Sequence, residues 1–420
     1  MLAIRIHLRF RIDREPDGRW VRAVPCRNRF SRMTQPVYLD HAATTPVRDD
    51  VMAAMIPFFG PRFGNPSSVH RWGRDARVAL DDARERLAGC LGAHPDEVCF
   101  TSGGTEADNF AILGVARTLR ASGRRAAVTT PIEHKAVLAA VHQVAQEGGD
   151  ERIVRVNGDG VVDLDHYAHC LDEHVSIVSV MWVNNETGVI QDVPTLSERA
   201  KAVGAVFHTD AVQAFGKVPI NTARETFDLL SISGHKLGAP KGIGALYIRR
   251  KTPLEPMFHG GSQDRGRRPG TENVAFAVGL AMAAERVVAE HDEEHARLTR
   301  LQVALEAGLR ERVPGAVIHS AGAPRAPHIT NVAIRGTDSE SMLMALDMRG
   351  IACSAGSACQ SGSVSASHVL TAMGVPAALA NASLRLSLGC LSDDASVARV
   401  VEALSVLAMK ARGAPVPAYD

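Results

Sequence analysis

The chain has 420 residues, 45% of them hydrophobic, and its 47 Lys plus Arg nearly balance 46 Asp plus Glu. That is enough for two or three domain-sized units with a sizeable core, and a net charge of +1 gives no electrostatic reason for nucleic-acid binding or for an acidic membrane surface. No apolar run reaches the roughly 18–20 residues that span a bilayer. Seven cysteines, widely spaced and without a C-x-x-C pair, argue against a disulfide framework or a zinc knuckle and for reduced thiols in a cytoplasm.

Residues 1–32 are Arg-rich, acid-poor and without sustained periodicity. They lack the apolar core of a signal peptide, and read as a disordered arm or as an upstream extension ahead of Met33. From Val37 the pattern becomes regular. A helical stretch over 75–91 precedes a short apolar run at 98–102, and a helix opens at Thr105. Runs at 126–130, 175–182, 205–209 and 229–232 alternate with helical segments such as 133–146, and 243–248 is expected to be antiparallel. Strands alternating with helices predict an α/β fold, with a mostly parallel sheet covered on both faces. In such sheets ligands sit beyond the carboxyl ends of the strands. A long helical region from 271 to about 313 leads into a second α/β pattern: a strand at 328–334, a helix at 340–348, a strand at 383–388 and a last helix from 392. The boundaries expected are a large domain over 49–285, a small domain over 286–412, a segment over 33–48 that packs with the small one, and a loose tail over 413–420. His166, His169 and Cys170 lie close together but have no second ligand pair, so a metal site is not expected.

Three polar clusters fall at predicted strand ends. Thr101-Ser-Gly-Gly-Thr-Glu-Ala107 leaves a strand and opens a helix. Backbone N–H groups at the helix N-terminus, with Gly103 and Gly104 allowing close approach and Thr105 adding a hydroxyl, make a phosphate cradle or an ordinary glycine turn with a Thr cap. Phe207-His-Thr-Asp-Ala-Val-Gln213 places Asp210 just past a strand, where it is either a helix cap or the partner of a pyridine nitrogen, with Gln213 in reach of the same ring. Asp228-Leu-Leu-Ser-Ile-Ser-Gly-His-Lys236 puts Lys236 at a strand mouth beside His235. It is either a solvated loop lysine or an amine desolvated enough to attack an aldehyde. One strand–helix–strand excursion separates Asp210 from Lys236, so one ligand can meet cradle, carboxylate and amine. Together the three describe a site for pyridoxal 5′-phosphate.

Tyr38-Leu-Asp-His-Ala-Ala-Thr-Thr-Pro46, Asn65-Pro-Ser-Ser-Val-His70, Glu133-His-Lys-Ala-Val137, Val183-Asn-Asn-Glu-Thr-Gly188, Ser233-Gly-His-Lys236 and Arg265-Gly-Arg-Arg-Pro-Gly-Thr271 carry a resemblance to the cysteine desulfurases, members of the class V, fold-type I group of pyridoxal-phosphate enzymes. It runs from about 37 to 411. The resemblance implies Lys236 as the Schiff-base lysine, Asp210 as the partner of the pyridine nitrogen, Gln213 as a donor to the phenolic oxygen and His134 stacked on the ring. It implies Gly104, Thr105, Ser233 and His235 on the phosphate, with Thr271 contributed by the other subunit of a homodimer. Asn185 and Arg385 would bind the carboxylate of L-cysteine, a role that suits a planar guanidinium fork.

The run Cys353-Ser-Ala-Gly-Ser-Ala-Cys-Gln-Ser-Gly-Ser363 holds two thiols among small residues that cannot pack tightly. Cys353, near Ile351, has the setting of a structural thiol. Cys359 matches the family's nucleophile, and the loop over 353–366 is similar to the family's longer-loop branch. The implied reaction is removal of sulfur from L-cysteine to give L-alanine and a persulfide on Cys359. The sulfur then passes to an acceptor such as an iron–sulfur scaffold protein. Alternatives on the same scaffold are a selenocysteine lyase or an aminotransferase, and from a different class, a non-catalytic docking platform.

Overall fold

The computed structural model describes residues 36–355 and 366–413. Its strands are β1 (Val37–Tyr38), β2 (Val98–Thr101), β3 (Ala126–Thr129), β4 (Asp150–Ile153), β5 (Val175–Ser179), β6 (Val206–Asp210), β7 (Leu229–Ser233), β8 (Gly244–Ile248), β9 (Ala316–Ile318), β10 (Ile329–Ile334), β11 (Ile351–Ala352) and β12 (Ser383–Ser387). Seven form the main sheet, in the order β2-β8-β7-β6-β5-β3-β4. Neighbours are parallel except at β8, which runs antiparallel to both β2 and β7 as the sequence predicts.

Strands β5 to β8 are buried from end to end, as a sheet covered on both faces requires. Successive side chains point to opposite faces. Ile177, Val206, Leu229 and Leu246 meet Phe110, Val137 and Val141 of the helices Gly104–Leu119 and Lys135–Gln146 on one face. On the other, Val178, Phe207 and Leu230 meet Leu196 of Val193–Ala202 and Leu280 of Val274–Ala289. Each such side chain stabilises the fold by roughly 1.5–3 kcal/mol. A one-residue slip of β6 or β7 would reverse these faces, so packing fixes where both strands end.

A second apolar core joins a three-stranded antiparallel sheet, β12-β10-β9, to the helices His291–Arg312 and Asp394–Ala411. Val37 and Leu39 lie in this second core, and β1 pairs in parallel with β11. The long helical region divides in two at Glu290, whose carboxylate is gripped by the Arg48 fork at 2.9 and 2.8 Å. Two features had no apolar signature in the sequence: the exposed edge strand β4 and the two-residue pair β1–β11.

Candidate active site

The carboxyl ends of β6 and β7, the start of the helix Gly104–Leu119, the segment 40–43 and β12 surround one cavity of about 420 Å³, within the roughly 300–1,000 Å³ of small-molecule sites. Lys236, Asp210, Gln213, His134, Gly104, Thr105, Ser233, His235, Asn185 and Arg385 all line it. Thr271 does not; it lines a separate cavity with Ser102 and Arg268. Cys359 lies outside the described residues. The described flanks of its segment are Ser354, which lines the cavity, and His368, whose Nε2 stands 3.0 Å from the carbonyl oxygen of Glu133.

Local structure explains each position. β7 ends at Ser233, and the tight turn Gly234–Lys236 follows. Lys236 Nζ donates to the carbonyls of Ala42 (2.5 Å) and Ala43 (2.8 Å). Asp210 closes β6, 5% exposed, with Oδ1 accepting from the Val212 N–H at 2.9 Å. Burial pushes its carboxyl up, while His134, that N–H and Lys236 oppose the shift. His134 caps the helix Lys135–Gln146: Nδ1 accepts from the Ala136 N–H at 3.1 Å, so the ring proton belongs on Nε2. Burial lowers its pKa against the pull of Asp210, so the ring is neutral near pH 7. Burial also holds His235 down to about 4, and its Nδ1 lies 3.2 Å from Thr44 Oγ1.

Gln213 Nε2 donates to the Ala42 carbonyl at 2.9 Å, and its Oε1 lies 3.2 Å from Nε2 of buried His328. The cradle rests on two glycines. Gly103 has φ 154°, and a Cβ on Gly104 would come within 2.8 Å of Val212 Cγ2; the helix opens at Gly104 with no side-chain cap from Gly103, beside the Ser233 hydroxyl. Arg385 reaches in from β12, with Nη1 donating to the Asn185 carbonyl at 3.0 Å and Nη2 to Asp40 Oδ1 at 2.9 Å. Among the described residues, Arg385 Nε and Asn185 Oδ1 have no hydrogen-bond partner. The site thus combines an amine, a buried acid, a neutral imidazole, an anion cradle and a guanidinium fork.

Sequence reasoning assigned no role to Asp40, Asp108, Glu133 or His208. Asp40 pairs with Arg385, Asp108 lines the cavity, and Glu133 and His208 are fully buried beside it. The only available signal was a polar residue at a position whose neighbours along the strand or helix are apolar.

A family model described as aminotransferase class V matches residues 37–400. Cysteine desulfurase IscS of Dictyoglomus turgidum is 42% identical over 380 residues, covering 90% of this chain and 96% of its own. Cysteine desulfurase of Gluconacetobacter diazotrophicus is 46% identical over 378 residues, 90% of this chain and 94% of its own. Among solved structures, SspA in complex with cysteine aligns with a TM-score of 0.75 at 33% identity, over 84% of this chain and 98% of that one.

Proposed function

Because this chain belongs to the class V aminotransferase family, among the cysteine desulfurases, we propose that it removes sulfur from L-cysteine, releases L-alanine and holds the sulfur as a persulfide on Cys359. The observation that carries this reading is that Lys236, Asp210, His134 and Arg385 line a single cavity.

The donor set suits pyridoxal 5′-phosphate. The bare helix start at Gly104, with Thr105, Ser233 and His235, offers hydrogen bonds to a phosphate. Asp210 offers a buried carboxyl to a ring nitrogen, Gln213 an amide to the phenolic oxygen and His134 a ring face. When bound, the cofactor supplies an electron sink for bonds breaking at the amino acid's Cα and beyond. Lys236 is the attachment point and the amine that carries the Cα proton. Arg385 and Asn185 hold the substrate carboxylate. His134 serves as proton carrier between thiols. Its helix cap occupies Nδ1, so Nε2 is the nitrogen that gives up and recovers the proton. Cys359, as thiolate, accepts the sulfur.

The enzyme is read as a homodimer. Phe59, Phe63, Val69 and Trp72 are 56–88% exposed on one stretch of chain, apolar surface of the kind that a partner covers, and Thr271 would serve the other subunit's cofactor. The domains are read as 49–285 and 286–412, with 33–48 joined to the second and the thiol loop over 353–366. No helix among the described residues is long and apolar enough to cross a membrane; a cytoplasmic enzyme that hands sulfur to an iron–sulfur scaffold or another acceptor protein fits the reading. The test is alanine release from L-cysteine by purified protein loaded with pyridoxal 5′-phosphate. Cys359→Ala should abolish release while keeping the visible absorbance of bound cofactor, and undiminished turnover would overturn the assignment.

A further inference from the structure

A buried polar row crosses the main sheet beneath the cavity. Ser179 of β5 pairs in register with His208 of β6, and the His208 ring bridges two hydroxyls, with Nδ1 2.8 Å from Ser179 Oγ and Nε2 2.9 Å from Ser231 Oγ of β7. Asp108, on the helix Gly104–Leu119, closes the row. Its Oδ1 stands 3.7 Å from His208 Nε2, and Ser231 lies beside its carboxyl. None of the four is more than 1% exposed. Asp210, two residues beyond His208 on the same strand face, lines the cavity with Asp108. A third buried acid, Glu133, takes the Thr130 hydroxyl at 2.6 Å and the Met181 N–H at 2.9 Å.

Three carboxyl groups in one region of low dielectric cannot all ionise. His134 and Lys236 act on Asp210, and the Val212 N–H donates to it. Asp108 has a hydroxyl and an imidazole that burial holds at about 3, and therefore uncharged. Its Oδ1 has no hydrogen-bond partner among the described residues. A negative charge there would be buried with the Ser231 hydroxyl and a neutral imidazole as neighbours, less than a buried carboxylate needs. Burial and the neighbouring Asp210 accordingly push Asp108 upward, and burial pushes Glu133 to about 8.

We infer that Asp108 is a positioning residue of the reaction: a carboxylic acid that keeps its proton at neutral pH and leaves Asp210 as the anion of the cavity floor. This rests on the proposed pairing of Asp210 with the cofactor's ring nitrogen. An ionised Asp108 would place a second negative charge beside the same cavity, oppose the charge on Asp210 and weaken the pairing that depends on it.

The test uses the full chain, labelled with carbon-13 at aspartate carboxyls and free of cofactor, in an NMR titration. A protonated aspartate resonance at neutral pH should vanish in Asp108→Asn and persist in Asp210→Asn. Should Asp108→Asn fail to fold, Ser231→Ala assigns the same resonance by shifting it. An Asp108 resonance already ionised at neutral pH overturns the inference. In the loaded protein Asp108→Asn, which imitates the neutral acid, should keep the dissociation constant for pyridoxal 5′-phosphate within about threefold of the parent, and a loss of about tenfold or more overturns it. Unchanged cofactor binding and turnover in Asp210→Asn would instead sink the reading of Asp210, an outcome separable from the protonation of Asp108.

Discussion

Replacing Arg385 with Gln tests how the site holds its substrate. The guanidinium is 5% exposed and donates to the Asn185 carbonyl and to Asp40, while its Nε has no partner among the described residues. Gln cannot reproduce a charged fork. A hydrogen bond to a charged group contributes about 1.5–3 kcal/mol, so kcat/KM for L-cysteine should fall roughly 10- to 160-fold at about 1.36 kcal/mol per tenfold. The substitution also leaves Asp40 unpaired, and cysteamine separates the two causes because it has the amine and thiol of cysteine without the carboxylate. Binding of each to the loaded protein is followed by the change in visible absorbance. The parent should prefer cysteine strongly, and the variant should lose that preference while binding cysteamine as the parent does. Equal losses for both ligands, or no loss for cysteine, would refute carboxylate binding by Arg385.

Asp210→Asn removes the charge opposite the proposed ring nitrogen, and cofactor affinity should fall by roughly 10- to 160-fold on the same scale; equilibrium dialysis measures it, and an unchanged affinity would count against the pairing. Glu133 makes stability pH-dependent: the folded chain keeps to about 8 a proton that the unfolded chain releases near 4.5, so its contribution to stability falls as pH rises through that window. Urea midpoints of Glu133→Gln should therefore decline less than the parent's between those pH values, and parallel curves would contradict the assignment. Burial holds the Cys353 thiol at about 12, so Cys353→Ala should keep alanine release within about threefold, whereas a large loss would mean that this sulfur takes part.

The main sheet was legible because its central strands are buried on both faces: Leu229–Ser233 opens on a mostly apolar run, and Val206–Asp210 begins with Val206 and Phe207 before its polar end. The same rule hid β4, whose Asp-Glu-Arg-Ile is an exposed edge, and β1–β11, too short to show any period. The break at Glu290 coincides with a tertiary ion pair to Arg48, which no local pattern encodes. Lys236, Asp210 and the glycine cradle were legible as candidates because each chemistry needs a residue type at a strand end. Asp108 and His208 were not, since their meaning lies in a row of contacts across three strands and a helix. Asp40 lies in the motif over 38–46, but only the fold brings it to Arg385.

The most direct measurement is single turnover with sulfur-labelled L-cysteine, followed by thiol trapping and peptide mapping. Alanine and label should appear in equal amounts, with the label on the peptide that carries Cys359, and Lys236→Ala should yield neither. Alanine formed in full with no sulfur on Cys359, or undiminished by the loss of Lys236, would contradict the account.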